Sequence, residues 1–316
     1  MLQNKKLILL LNLGSPNNLD VASIKLFLAK FLSDKKVVRL PKLFWYPILY
    51  LIILPFRSKK LLAKYSSIWN NGAPLINYTN QQSINLKNLF SNNNNIIVKH
   101  AFSYSKPYII DILSEVKPKE VVVLPLYPQF SSTTTLPILN QMTEYFNLIN
   151  DMPTFKLIRG FHNNSIYIDL LVEKIQRSWQ INGRSEKLIF SYHSLPVSII
   201  KSGDPYYDEC VETTTLIAKK LGLEINQYLI TFQSRFGAEK WLTPSTTQTL
   251  INLAKNKIES IDIICPGFIS DCLETLEEIA ILNKKEFLKN GGKNYNYIYC
   301  LNNENELNQL FLNLIK

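Results

Sequence analysis

A chain of 316 residues, 46% hydrophobic and 11% aromatic, has enough apolar material for two compact halves or one large α/β unit and is too apolar to be disordered. Lys and Arg number 35 against 25 Asp and Glu, and the net charge of +10 suits an anionic partner such as a membrane surface, a carboxylate-bearing substrate or nucleic acid, although coding bias toward Lys, Ile and Asn produces the same excess. The cysteines, Cys210, Cys265, Cys272 and Cys300, form no CxxC pair, which argues against a zinc ribbon or a dense disulfide framework and fits a reducing setting.

The first residues, MLQNKKLILLLNLGSP, place lysines before an apolar run as a signal peptide does. No A-x-A-like cleavage site follows, and the run enters a Gly-Ser-Pro turn, so it reads as a first strand. Apolar runs predict strands at 7–13, 96–101, 120–126 and 155–159, then at 187–191, 228–232, 261–265 and 296–300. Segments of helical periodicity separate them, notably 205–221, 245–256, 272–288 and 303–315. Strands alternating with helices predict an α/β fold with parallel sheets built from right-handed βαβ units, in two similar lobes. Gly160, Asn163 and Asn164 interrupt the pattern, which sets the lobes at 1–160 and 161–316.

One stretch breaks the rhythm. Leu43 to Phe56, LFWYPILYLIILPF, is uninterrupted apolar sequence between Arg39 and Lys42 on one side and Arg57, Lys59 and Lys60 on the other. It is shorter than the roughly 20 residues a spanning helix needs, and Pro47 and Pro55 work against such a helix. An apolar element with basic flanks suits an interfacial position on anionic lipid; the plainer alternative is a helix packed on the core. Asn92 to Asn95 reads as a surface turn.

Neither G-x-G-x-x-G nor G-x-x-x-x-G-K-[ST] is present, so the usual nucleotide-cradling loops are missing, and no G-x-S-x-G elbow supports serine chemistry. Nucleic-acid binding would rest on charge alone and is not expected. Instead, dense polar strings follow the strand candidates: LNLGSP, LPLYPQFSSTTT, FSYHSLP, TFQSRFGAEKWLTP and CPGFISDCLETLEEI. In open α/β sheets, loops at the carboxyl ends of parallel strands bind ligands. His193, in FSYHSLP at the end of strand 187–191, is the candidate base; a loop-satisfying histidine is the plain alternative. Asp271, Glu274 and Glu278 recur at helical spacing. Asp271 or Ser270 suits a helix cap, Glu274 is the functional carboxylate, and Glu277 and Glu278 read as a solvated acidic face. His162 reads as a surface histidine, and the cysteines as buried structural thiols.

Together LLNLGSP, LPLYPQFSSTTT, FSYHSLP with the following KSGDPYYDEC, FQSRFGAEKWLTP and PGFISDCLETLEEI resemble the signatures of the ferrochelatase family, in order and at family-like spacing from about residue 7 to residue 300. The resemblance implies a chelatase-like fold, two Rossmann-like lobes each with a parallel sheet flanked by helices, and insertion of ferrous iron into protoporphyrin IX to form protohaem, the last step of haem biosynthesis. It places the family's active-site histidine on His193 and its catalytic glutamate on Glu274, as proton acceptors and metal ligands. It puts Tyr127, Ser131, Gln233, Arg235, Trp241 and Phe268 in segments that line or border a porphyrin cleft between the lobes.

Two departures stand out. AFSYSKP has Ser103 where many members carry an arginine, and Ser132 stands where some members have a cysteine that holds a [2Fe-2S] cluster, so with the chain stopping at Lys316 no cluster or other cofactor is expected. Protoporphyrin and Fe²⁺ are then the substrates, an anionic membrane surface is an expected partner, and the location is cytoplasmic, peripheral on the inner membrane. The alternatives are a chelatase for another divalent metal or an earlier tetrapyrrole, and a non-catalytic tetrapyrrole carrier, which would need neither His193 nor Glu274.

Overall fold

The computed structural model describes residues 5–237 and 239–316. Its eight strands form two four-stranded parallel sheets, β2-β1-β3-β4 and β6-β5-β7-β8, each flanked by helices. In the first, β1 (Lys6–Asn12) pairs with β2 (Ile96–Phe102) on one side and β3 (Glu120–Pro125) on the other, and β4 (Thr154–Leu157) closes the edge. In the second, β5 (Lys187–His193) lies between β6 (Tyr228–Gln233) and β7 (Ser260–Ile264), with β8 (Asn294–Ile298) outside β7. Both sheets repeat one winding. The chain moves from the central strand to one side, then crosses back to the other, leaving a topological switch point between β1 and β3 and another between β5 and β7. Leu7 to Leu11 are at most 1% exposed, as expected of a parallel strand covered on both faces.

Contacts divide the chain into two compact units. The first takes the described residues up to Tyr127, Ser131–Gly160 and Asn303–Lys316; the second takes Pro128–Phe130 and Phe161–Asn302. The last helix therefore belongs with the first sheet, where the sequence had put all of 161–316 in the second lobe. Its apolar side explains this: Leu307, Leu310, Phe311 and Ile315 are buried, and the helix packs on the helix Pro74–Asn88 and on β3.

In the first unit α1 (Val21–Ser33) is capped by Asp20, which accepts from the Ser23 amide at 2.6 Å. The apolar stretch that follows is helical throughout: α2 (Lys42–Ile48), a π-helical turn (Leu49–Ile53) and α3 (Leu54–Ser66). Pro55 would clash with a carbonyl four residues back in a regular α-helix, and the wide turn directly before it relieves that conflict. Trp45, Leu49 and Leu54 are buried, while Leu43, Phe44, Leu51, Ile52 and Phe56 are 57–81% exposed. Among the described residues no helix is long and apolar enough to cross a membrane. Two further helices, α4 (Pro74–Asn88) and α5 (Ile109–Val116), flank β2, and α6 (Thr135–Phe146) follows β3. After β1 the chain turns at Gly14, φ +97°; a Cβ there would sit 2.2 Å from Ser105 Oγ, so the turn after the central strand admits glycine.

The second unit continues with α7 (Ser165–Asn182), α8 (Val197–Lys201), α9 (Tyr206–Lys220) and α10 (Thr246–Lys255). After β7 comes a ten-residue π-helix, Glu274–Asn283, running on as α11 (Lys284–Lys289), where the periodicity had predicted one α-helix over 272–288. The chain ends with α12 (Leu307–Ile315). Asp262 on β7, 1% exposed, ties this unit together by accepting from Trp179 Nε1 (2.7 Å), the Ser185 amide and hydroxyl (3.1 Å each) and Asn296 Nδ2 (3.0 Å). A buried carboxylate with four donors is stable in place, and removing it strands those donors. Asp262→Ala is expected to lower unfolding free energy by about 3 kcal/mol in urea titration with little change in slope.

Candidate active site

The switch point of the second sheet lies between the carboxyl ends of β5 and β7, and the chemically capable groups gather there. His193 is the last residue of β5 and half-buried. Its Nδ1 is 2.7 Å from the Ser194 carbonyl. A carbonyl only accepts, so Nδ1 carries the proton and the Nε2 lone pair is left free as a base or ligand. The loop is fixed around this choice. Tyr206 donates to the His193 carbonyl at 2.9 Å, the Ser194 amide to Gln233 O at 2.8 Å, and the 195–197 backbone pairs with 240–242 through Leu242 N to Leu195 O (2.9 Å) and Val197 N to Lys240 O (2.8 Å).

The loop after β7 brings in carboxylates. Asp271 is fully buried and accepts from Thr275 Oγ1 (2.8 Å), Tyr297 OH (2.5 Å) and Asn302 Nδ2 (2.7 Å). It is a tether for the loop rather than the helix cap expected, and the Thr275 hydroxyl receives the Cys272 amide at 2.9 Å instead. The π-helix then starts at Glu274, whose carbonyl accepts from Gln233 Nε2 at 2.9 Å. Hydrogen bonding five residues back widens the helix, so residues four apart stand more nearly in line than in an α-helix, and Glu278 follows Glu274 along one side.

Glu278 is not on a solvated face. It is half-buried, with Oε1 2.8 Å from the Ser234 amide and Oε2 2.5 Å from the Ser234 hydroxyl. Burial pushes its carboxyl above the ordinary carboxylate value; the Ser234 hydrogen bonds, and His193 when it is protonated, oppose the rise, and Glu274 adds to it. Glu277, 6% exposed, is buried too. The spacing that placed Glu278 in line with Glu274 was visible in sequence, but the solvent reading of that side was wrong because the Gln233-Ser234 strand end covers it.

The other expected residues divide by unit. In the second, Gln233 is 2% exposed and joins the backbones of Ser194 and Glu274. Arg235 and Trp241 share with Val197, Glu239, Lys240 and Thr243 the lining of an open cavity of about 490 Å³. The indole N–H of Trp241 is buried without a hydrogen-bond partner among the described residues. Phe268 packs partly buried against the core under β7. In the first unit, Tyr127 follows β3 half-buried, burial raises its phenol above the ordinary value, and its hydroxyl is buried without a hydrogen-bond partner among the described residues. Ser131 is 1% exposed, its hydroxyl 2.9 Å from Thr133 Oγ1, and its carbonyl receives the Thr134 and Thr135 amides at the start of α6. Its side chain therefore shapes the loop from within.

All four cysteines are free and buried, and burial pushes each thiol well above its ordinary value. Among the described residues no group of three or more His, Cys, Asp or Glu is arranged to hold a metal ion.

A family model described as Ferrochelatase matches residues 5–316. Relatives named Ferrochelatase include one from Janthinobacterium sp. (strain Marseille), 42% identical over 305 residues, which span 95% of this chain and 83% of that protein. Another, from Neisseria gonorrhoeae, is 40% identical over 304 residues, 95% of this chain and 90% of that one. Among solved structures, SirB from Bacillus subtilis with Fe³⁺ superposes with a TM-score of 0.55 at 11% identity, covering 98% of this chain and 94% of that one. CbiX, described as the terminal enzyme for biosynthesis of siroheme in denitrifying bacteria, gives 0.55 at 9% identity, covering 98% and 97%. At such identity these two structures speak to the fold, a chelatase-like α/β arrangement.

His162 stands apart from His193 and is not a surface histidine. Its side chain is 13% exposed, with Nδ1 3.1 Å from Glu209 Oε2 and Nε2 2.8 Å from Glu212 Oε2. Glu209 also accepts the Phe130 amide at 2.6 Å, and Asn163 donates to Glu212 at 3.0 Å. Burial alone would lower the imidazole, but hydrogen bonds and charge from Glu209 and Glu212 outweigh it and hold the pKa above 6.5. Both ring nitrogens are then donors, which fits a protonated ring. The folded chain keeps this proton after the unfolded chain has lost it, so the bridge contributes fully below pH 6.5 and is lost as pH rises through the higher native value. His162→Gln is expected to cost about 2 kcal/mol near pH 5.5 and progressively less toward pH 9, measured as the difference between the two proteins in urea.

Proposed function

The chain belongs to the ferrochelatase family, a family of metal chelatases of the lyase class that insert ferrous iron into protoporphyrin in haem synthesis, and we propose that His193, Glu274 and Glu278 are the groups with which it does so. The observation that carries this assignment is the arrangement at the switch point of the second sheet: His193 ends β5 with its Nδ1 on the Ser194 carbonyl and Nε2 left free, Glu274 opens the helix that follows the adjacent β7, tied to the end of β6 through Gln233, and Glu278 one turn on is tied to the same strand end through Ser234. Insertion exchanges one Fe²⁺ for two pyrrole protons, with no change of oxidation state. The site must therefore accept two protons and hold a divalent ion only in passing. A neutral imidazole nitrogen with a free lone pair can take a proton, and a half-buried carboxylate is a better proton acceptor than a solvated one. Imidazole nitrogen and carboxylate oxygen are both ligand types for Fe²⁺, and one or two of them hold the ion more loosely than a closed four-ligand cage.

Within the second unit, Arg235 offers a donor for a propionate, and Trp241 and Phe268 offer aromatic surface for a ring face; Tyr127, which follows β3 in the first unit, is a further aromatic candidate for the porphyrin. Gln233 and Ser131 support these segments from inside the protein. Mixing purified protein with protoporphyrin and Fe²⁺ under anaerobic, reducing conditions is expected to quench free-porphyrin fluorescence far faster than in solution without protein. Stoichiometric porphyrin binding with insertion at the solution rate would instead identify a carrier. His193→Ala is expected to reduce turnover by about 100- to 10,000-fold, whereas His162→Gln leaves it within about twofold near pH 7; equal losses would move the base away from His193.

The exposed apolar side of α2, the π turn and α3 supports a peripheral position on a membrane surface. Leu43, Phe44, Leu51, Ile52 and Phe56 form its apolar part, and Arg39, Lys42, Lys59 and Lys60 border it in sequence. Such a surface suits anionic lipid and delivery of a poorly soluble porphyrin. The chain is expected to co-sediment with vesicles of anionic phospholipid and much less with neutral ones, and Leu51→Glu to weaken binding about tenfold; unchanged binding would assign this surface another role.

A further inference from the structure

Ser234 is the first residue after β6 and one of few non-glycine residues with positive φ, +63°. A backbone conformation that serine rarely adopts is held here by what surrounds it. Gln233, just before it, is fixed on three sides: its backbone carbonyl takes the Ser194 amide, its Oε1 takes Ser191 Oγ at 2.6 Å, and its Nε2 donates to the Glu274 carbonyl at 2.9 Å. Beneath lies a row of hydroxyls, Ser191, Thr246 and Thr231, all buried, with Ser191 Oγ 2.8 Å from Thr246 Oγ1 and Thr246 donating to Thr231 at 2.9 Å. This row sets the Gln233 amide so that its nitrogen faces the π-helix.

With Gln233 locked, the left-handed step at Ser234 turns its N–H and its hydroxyl to the same side. Each reaches a different oxygen of Glu278, 2.8 Å and 2.5 Å away. A two-point clamp fixes the plane of the carboxylate as well as its place. Both donors are neutral, and each takes one lone pair per oxygen. The clamp brings no positive charge to the carboxylate and leaves a free lone pair on each oxygen, which an ion pair with Arg or Lys would diminish.

We propose that Ser234 is a positioning residue for metal capture, orienting Glu278 toward the His193 side of the site so that Fe²⁺ meets a preset carboxylate. This rests on the assignment of Glu278 to the site. Groups that orient a ligand in this way are worth 10- to 100-fold in metal affinity where they have been removed in other proteins.

The decisive variant is Ser234→Gly. Glycine adopts positive φ freely and keeps the amide, so the fold and one half of the clamp remain while the hydroxyl is lost. In anaerobic insertion assays it is expected to raise KM for Fe²⁺ about tenfold and leave KM for protoporphyrin within about twofold. Combined with Glu278→Gln, it is expected to add nothing to the effect of Glu278→Gln alone, since residues acting through one another are not additive. An unchanged KM for Fe²⁺ in Ser234→Gly, parallel changes in both KM values, or additive effects in the double variant would each overturn the clamp while leaving the site assignment standing. If Glu278→Gln itself left the iron dependence untouched, the site assignment would fail and the clamp with it.

Discussion

Ser234 donates twice to Glu278, and neither donor carries charge. The consequence is a carboxylate drawn partly out of water yet not neutralised by a basic partner, on the same end of the sheet as a histidine whose protonation site is already chosen by the Ser194 carbonyl. Chemistry that exchanges two protons for a divalent ion depends on such groups being unspent. Had Glu278 met an arginine, it would be a poor proton acceptor and a poor ligand. Had His193 Nδ1 met a donor, its free nitrogen would face the wrong way. The rest of the second unit can be understood as what holds these two choices in place: the buried tether at Asp271, the hydroxyl row under Gln233, and the short antiparallel pairing of 195–197 with 240–242.

The winding of the sheet explains why the groups meet at all. His193 ends β5, and the π-helix follows β7, the strand adjacent to β5 on the far side of the switch point. Loops leaving two such strands diverge and open a crevice between them. Gln233 ends β6, the neighbour on the other side, so three adjacent strand ends each contribute one part. The first sheet has the same winding, with the Gly14 turn after β1 and the Tyr127 segment after β3 in the equivalent places.

Much of this was legible in the sequence because parallel strands buried on both faces leave continuous apolar runs. All eight were expected within a few residues of where they lie. His193 and Glu274 were singled out by position and motif. What escaped had no local signature. An α-helix and a π-helix of the same apolar composition look alike in periodicity over ten residues, and the burial of Glu278 is imposed by a distant strand end. His162 looked like a surface residue because its partners, Glu209 and Glu212, lie some fifty positions away on α9. The last helix was given to the wrong unit because an amphipathic pattern shows that a face is buried, not against what.

The most direct measurement of the central claim is anomalous diffraction from crystals soaked anaerobically with Fe²⁺. The account predicts metal on Nε2 of His193 at about 2.0–2.2 Å, with an oxygen of Glu274 or Glu278 as a second ligand. Metal bound at His162, or at His193 with neither carboxylate in reach, in crystals of active enzyme would contradict it.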